Sequence, residues 1–378
     1  MSADEASRRA RVRPLWVAVV VSLFIVVASL LGRRATLRTR ADEATRRTVQ
    51  PHAINPRMGV QSVDPLGHGP NTGGPRRVYV GAYAFNVPQL DLSSNAYLID
   101  FWLWFRWHGN DIDPTRSYEF MNLYEGWDVL RQPIYTDDNN NPRAESLGDG
   151  WYYQVFHVQA RFGKPFDVRA YPFDTQTLTI AIEDGDQTTG DMVYVPDPGT
   201  TAVDPQLEIP GWLLDHVSAT TSETVYPTNF GDPRRPVGAD RYSRFSYSIH
   251  LKRPVVGYLA TTLLPIAIVM LITLVVFMIP SRYFEGRLGL GITSLISAVA
   301  LQLTAAGDLP KTGYLVLLDH VYNLCYLVIF VATVESVIAV RIADGGDEAR
   351  AALVDRITAI VSALIFFGGT AGLIFAAR

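Results

Sequence analysis

The sequence predicts an all-β extracellular sandwich followed by a four-helix transmembrane bundle, with an extra hydrophobic helix at the N-terminus. Three observations carry this prediction. Residues 77–252 hold short runs of alternating apolar and polar residues, punctuated by Gly, Pro, Asn and Asp. Such runs, with no helical period, read as strands and turns. Four apolar stretches follow, at about 255–279, 288–306, 315–339 and 357–376, each long enough to cross a bilayer. Residues 15–31, LWVAVVVSLFIVVASLL, form one more apolar run, preceded by Arg8, Arg9, Arg11 and Arg13.

The chain therefore divides into four parts. Residues 1–35 are a signal anchor or transmembrane helix, 36–76 a basic and polar linker, 77–253 the sandwich, and 254–378 the four-helix domain. The N-terminal run fits an uncleaved anchor better than a cleaved signal, because it is long and no clear A-x-A site follows it. Arg33, Arg34, Arg38 and Arg40 follow it, so flanking charge alone does not orient it. The linker is rich in Arg, Pro and Gly, and its basic part suits lipid head groups.

The 378-residue chain carries a net charge of −4, which argues against a nucleic-acid partner. Its one cysteine, Cys325, lies in an apolar run, so no intramolecular disulfide is possible and the thiol reads as packing. Seven histidines are scattered, with no HExxH, GxSxG or P-loop pattern. The sequence argues against an enzyme and implies no cofactor and no metal site.

RRVYVGAYAFNV is the first strand of the sandwich and NAYLIDFWLWFRW (95–107) the second, joined by a PQLDLSS turn. TDDNNNP at 136–142 is another turn, and Asp137 and Asp138 read as its solvated tip rather than as a Ca²⁺ site. Strands resume at WYYQVFHVQARF, QTLTIAIE, DMVYVP, GWLLDHVSATTSETVY and YSRFSYSIHLKR, and end at Lys252-Arg253-Pro254. Beyond this point Arg282 and Arg287 lie in the first link between spans, and Arg341, Arg350 and Arg356 in the third. Positive charge places both links inside, so the GDLPKTG link shares the outer side with the sandwich.

The second span, EGRLGLGITSLISAVALQLTAAGDLP at 285–310, is unusually polar for lipid. It carries Thr293, Ser294, Ser297, Gln302 and Thr304, with Glu285 and Asp308 at its ends. Steps of four and three place Gly289, Thr293, Ile296, Ala300, Leu303 and Gly307 on one face. Copies around an axis would enclose a wet tube with an apolar constriction and an acidic mouth that favours cations. The competing reading is a helix packed in a bundle, because small and hydroxyl residues also let membrane helices approach closely.

The order of parts resembles the pentameric ligand-gated ion channel superfamily in its prokaryotic form. KPFDVRAYPFDTQTL at 164–178 is similar to the family's signature loop, with Lys164 and Leu178 where many animal members carry the bridging cysteines. KRPVVGYLATTLLP at 252–265 resembles the start of the first membrane helix, and LPKTGY at 309–314 the link between the second and third. The resemblance covers about residues 77–376.

It implies a homopentamer in the bacterial inner (plasma) membrane, multi-pass, with the sandwich on the periplasmic side. A small-molecule, proton or divalent-ion agonist would open a pore to monovalent cations. Glu285 falls at the cytoplasmic mouth as a selectivity ring, with no Pro-Ala insertion of the anion-selective kind. Ile296 falls at the mid-pore gate and Leu303 at a second constriction. Gly289 departs from the family's usual hydroxyl residue, and a basic residue at the place of Arg287 points away from the pore or pairs with the glutamate. Pro172 and Phe173 of the YPFD loop, Pro310 and Lys311 of the link and the PQLDLSS turn meet at a gating junction, where Asp91, Asp174 and Arg253 form a charge cluster. The agonist hairpin is 226–242, with Tyr226, Phe230 and Tyr242, opposed by Glu183 and Tyr194; no complete aromatic cage can be read off, and the same aromatics read equally well as sandwich core or loop anchors. Arg234 and Arg235 favour an anion instead, and Asp91, Glu183, Asp184 and Asp186 allow acid sensing. The alternative function is a non-conducting, membrane-anchored sensor, for which a polar second span has no use. A secondary transporter would show more spans and internal repeats.

Overall fold

The computed structural model describes residues 61–63 and 74–377, apart from 198, 234, 235, 239 and 308. The N-terminal apolar run, most of the linker, Arg234, Arg235 and Asp308 lie outside the described residues.

Among the described residues, twelve strands and a short helix precede the spans. They are β1 Gln61–Val63, β2 Arg76–Asp91, β3 Ala96–His108, α1 Pro114–Ser117, β4 Tyr118–Phe120, β5 Val129–Pro133 and β6 Glu145–Gly148. Then come β7 Trp151–Gly163, β8 Thr175–Asp184, β9 Met192–Pro196, β10 Ala202–Val203, β11 Leu213–Val225 and β12 Arg241–Lys252. One sheet has the order β1-β11-β12-β8-β4; the other runs β10-β2-β3-β7-β5, with β6 on β7 and β9 on β2. β1 lies within the stretch read as linker and pairs in parallel with β11.

Period-two alternation builds the core. β3 buries Tyr97, Ile99, Phe101, Leu103, Phe105 and Trp107. Rings from the two sheets meet there: Phe105 lies 4.8 Å from Tyr118 and Phe101 6.1 Å from Phe120. The Tyr97 hydroxyl donates to the Thr179 carbonyl at 2.5 Å, tying one sheet to the other. The expected PQLDLSS turn is tighter than its composition suggests. β2 continues to Asp91, and only Leu92–Asn95 reverses the chain, with Asn95 at φ 55°. Pro88 falls where the register slips between Asn86 and Gln89, a place where a missing N–H is tolerated.

Four helices are long and apolar enough to cross a membrane among the described residues: α2 Val255–Met278, α3 Phe284–Ala306, α4 Leu317–Asp344 and α5 Glu348–Ala376. Pro265 of α2 follows a widened turn at Leu259–Leu263, because its ring displaces the carbonyl one turn back. The charged link expected between the third and fourth spans shrinks to Gly345–Asp347, since Arg, Glu, Asp and Ala at its two ends extend both helices. Gly346, at φ 90°, makes the turn, and Asp347 caps α5 by accepting from the Arg350 N–H at 2.9 Å.

Candidate functional site

Where the sandwich meets the helices, β12 ends at Lys252 and its next residue, Arg253, is buried. The Arg253 Nε donates to Asp174 Oδ1 at 2.6 Å. Asp174 Oδ2 accepts from Gln176 at 2.7 Å, and Gln176 also donates to the Asp167 carbonyl. The guanidinium sits 4.2 Å from the Trp212 ring, 4.8 Å from Tyr171 and 4.9 Å from Tyr258. Its Nη2 makes no hydrogen bond. Three aromatic faces thus supply much of what a second carboxylate would.

That second carboxylate was expected to be Asp91. The structure does not bring it there: Asp91 Oδ1 accepts from the Ser93 N–H and hydroxyl, and Oδ2 from the Ser94 hydroxyl at 2.7 Å. Bonds from Ser94 and Ser93 hold its carboxyl below the usual range. A serine two or three residues on satisfies an aspartate locally before any distant arginine can.

The signature loop reaches the link between α3 and α4 directly. The Tyr314 hydroxyl accepts from the Val168 N–H at 3.3 Å, the Arg169 guanidinium stacks 4.7 Å from the Tyr314 ring, and the Leu317 N–H donates to the Arg169 carbonyl at 2.8 Å. Pro172 is buried, follows a cis bond from Tyr171, and Phe173 beside it is half-buried. Pro310 is buried, while Lys311 is exposed; both line a cavity of about 180 Å³ with Gln302, Thr312, Asp319 and Tyr322. Lys164 Nζ donates to the Thr177 carbonyl at 2.8 Å, so a hydrogen bond stands beside the place of the missing disulfide. Burial pulls the Lys164 ammonium below its ordinary pKa.

All seven expected pore residues, Glu285, Gly289, Thr293, Ile296, Ala300, Leu303 and, just past the end of α3, Gly307, are exposed on the protomer, as are Ile292, Leu295, Val299 and Thr304 beside them. Ile296 is 64% exposed and Leu303 70%, comparable with apolar side chains on the other spans such as Phe330 at 66% and Leu364 at 67%. The opposite face carries Arg287, Gly291, Ser294 and Ala298, all buried. A Cβ at Gly291 would lie 3.1 Å from the Thr333 hydroxyl on α4, whereas one at Gly289 would meet nothing within 4 Å. Arg287 is 1% exposed and does not reach the Glu285 face. Its Nη1 and Nη2 each lie 2.8 Å from an oxygen of Asp355 on α5.

In the hairpin, Tyr226 lies 5.5 Å from Phe230 and 5.8 Å from Tyr242, ring centre to ring centre, so the three expected aromatics come together. The Tyr226 hydroxyl donates to Glu183 at 2.6 Å, and burial and Glu183 raise the phenol's pKa. Arg244, which the sequence reading missed, donates to the other Glu183 oxygen at 2.6 Å. It was legible in register: Phe245 stands opposite Ile182, which brings its neighbour beside Glu183. Glu183 is therefore already neutralised and is a poor counter-ion for an amine. Tyr194 is corrected outright. It is 1% exposed and packs 6.2 Å from Phe105, because its strand turns that side chain into the core. Asp184 is also committed, accepting from Ser117 and from the N–H groups of Asp186 and Gln187.

Known proteins are similar to this chain in sequence. The proton-gated ion channel of Gloeobacter violaceus is 25% identical over 300 residues, covering 77% of this chain and 80% of that one. The pH-sensitive chloride channel 2 of Anopheles gambiae is 24% identical over 264 residues, 65% of this chain and 42% of that one. A gamma-aminobutyric acid receptor subunit beta-like protein of Drosophila melanogaster is 26% identical over 188 residues, 50% of this chain and 36% of that one. The chain thus spans most of the first relative and less than half the length of the other two. No family model matches it. The relatives are ion channels, not enzymes, and the chain is a prokaryotic-type homologue of the pentameric ligand-gated ion channels.

Proposed function

We propose that the chain forms a homopentameric channel in the bacterial inner membrane, with the sandwich on the periplasmic side and a pore lined by α3. One observation carries this reading: the stripe from Glu285 to Gly307 is left open by the protomer while the opposite face of the same helix is packed. Five such stripes facing an axis give a water-filled path, constricted at Ile296 and Leu303 and acidic at Glu285. A non-conducting sensor would leave this polar stripe without a use.

Cation selectivity rests on Glu285 and on the buried state of Arg287, because a chloride channel and a gamma-aminobutyric acid receptor subunit are among the relatives. A proton is the stimulus the site favours. Two relatives are named for proton or pH sensitivity, Arg244 already occupies Glu183, and the sandwich holds His157 3.2 Å from Asp100 and His216 3.0 Å from Asp215. A free small molecule or a divalent ion is the competing agonist.

The test is current through the purified full chain in a planar bilayer, under asymmetric KCl, as pH falls. Acid-evoked current that reverses near the K⁺ potential is expected, and Glu285→Gln should move that reversal toward Cl⁻. Reversal near Cl⁻ in the unaltered chain would overturn the selectivity. Silence in both the unaltered chain and Ile296→Ala, which should relieve an apolar gate, would favour the sensor.

A further inference from the structure

Arg287 stands two residues from Glu285, about 200° around α3. That spacing alone does not fix where its charge ends up, since an arginine can carry its head group to nearby water. Two contacts do fix it, and a second acid stands near. Asp355 takes the fork with two bonds of 2.8 Å. The Ile279 carbonyl accepts from Nε at 2.8 Å. Glu335 of α4, 4% exposed, stands 3.7 Å away, and neither of its oxygens makes a hydrogen bond. A monodentate pairing would let the head group swing; a bidentate one does not.

We propose that Asp355, on the helix remote from the pore stripe, is a specificity-determining residue of the channel. It holds the Arg287 charge behind α3 and neutralises it, so that Glu285 alone sets the field at the mouth. This rests on the pore reading of α3. Without its counter-charge the guanidinium leaves the medium of low dielectric, where an unpaired charge is costly, and moves out beside Glu285. There it repels cations. Glu335 is close enough to take over the guanidinium, so the full effect belongs to the variant that loses both acids.

The experiment compares reversal potentials under asymmetric KCl for the unaltered chain, Asp355→Asn, Asp355→Asn/Glu335→Gln and Arg287→Gln. The double variant should lower the permeability ratio of K⁺ to Cl⁻ by about threefold or more, Asp355→Asn by less, and Arg287→Gln should raise it. A merely structural pair would change the amount of current and leave the reversal where it was; unchanged reversal overturns the proposal. Because the reading is a shift, it holds whichever ion the unaltered chain prefers, so failure of the cation reading is seen separately. Where the double variant does not assemble, Arg287→Gln decides alone, and an unmoved reversal again overturns the proposal. Where no variant conducts, phenylglyoxal labelling of the solubilised full chain, read by mass spectrometry, decides. Arg287 should react about tenfold faster in the double variant than in the unaltered chain, and equal rates overturn the proposal.

Discussion

Arg253 and Arg287 are both buried, both lie at an end of the helical domain and both pair with a buried aspartate, yet they are held differently. Arg287 is fixed by directional bonds on two edges of its fork, to Asp355 and to a backbone carbonyl. Arg253 makes one such bond, to Asp174, and otherwise lies among the faces of Trp212, Tyr171 and Tyr258. Hydrogen bonds weaken steeply when bent, whereas the attraction of a cation to a ring face varies smoothly with position. The first arrangement stores a charge in one place. The second keeps a charge satisfied while its surroundings slide, which suits the proposed transmission of motion from sandwich to pore.

The sharpest way to break this contrast is Arg253→Ala. It strands Asp174 without its cation, at a cost of about 3–5 kcal/mol, and should abolish both current and stable assembly. Normal currents from that variant would remove the junction from the mechanism. Arg253→Lys keeps the charge and loses the planar stack, so a loss of about 1–2 kcal/mol is expected. It should be read as a lower melting temperature of the solubilised chain and a shifted stimulus for half-maximal current. A lysine variant as damaged as the alanine one would show that the fork, not the ring faces, carries the pairing.

Asp91→Asn should cost only about 1 kcal/mol, because the carboxylate serves its own turn through Ser93 and Ser94. A loss of gating equal to that of Asp174→Asn would place Asp91 at Arg253 in another conformation.

The smallest effect concerns acid. His250 stacks 4.0 Å from His216 and bonds Thr177 and Ser218. Burial, then His216 and Lys164, lower its pKa, against an opposing pull from Asp215. The neutral ring is therefore favoured in the fold. As pH falls below about 6.5 the unfolded chain takes this proton before the folded one does, so stability is full above that pH and declines below it. His250→Gln should flatten that part of the fall in melting temperature, and an unchanged slope would put the acid sensitivity in other groups.

Much of the candidate site was legible because it depends on period. Steps of four and three on the second span named six residues, all of which fall within the broader face that the protomer leaves exposed, and Tyr226, Phe230 and Tyr242 do meet. What escaped depends on side chains choosing among partners. Asp91 and Arg253 are compatible in charge, but two serines are nearer. Tyr194 looks like any loop-flanking aromatic until its strand's facing is known. Tyr314 and Arg169, which join loop to link, lie 145 residues apart and share no pattern.

The sequence by itself determined the layers. Alternation of period two, four apolar runs of spanning length and the signature loop specify a sandwich on a helical bundle, because burial of apolar faces follows composition directly. Only the tertiary structure decided which charges are used. A cation two residues from the pore mouth became a neutralised group behind the helix, because Asp355, 68 residues away, is brought to its fork. The partner of a charge depends on distance and dielectric, which chain order does not encode.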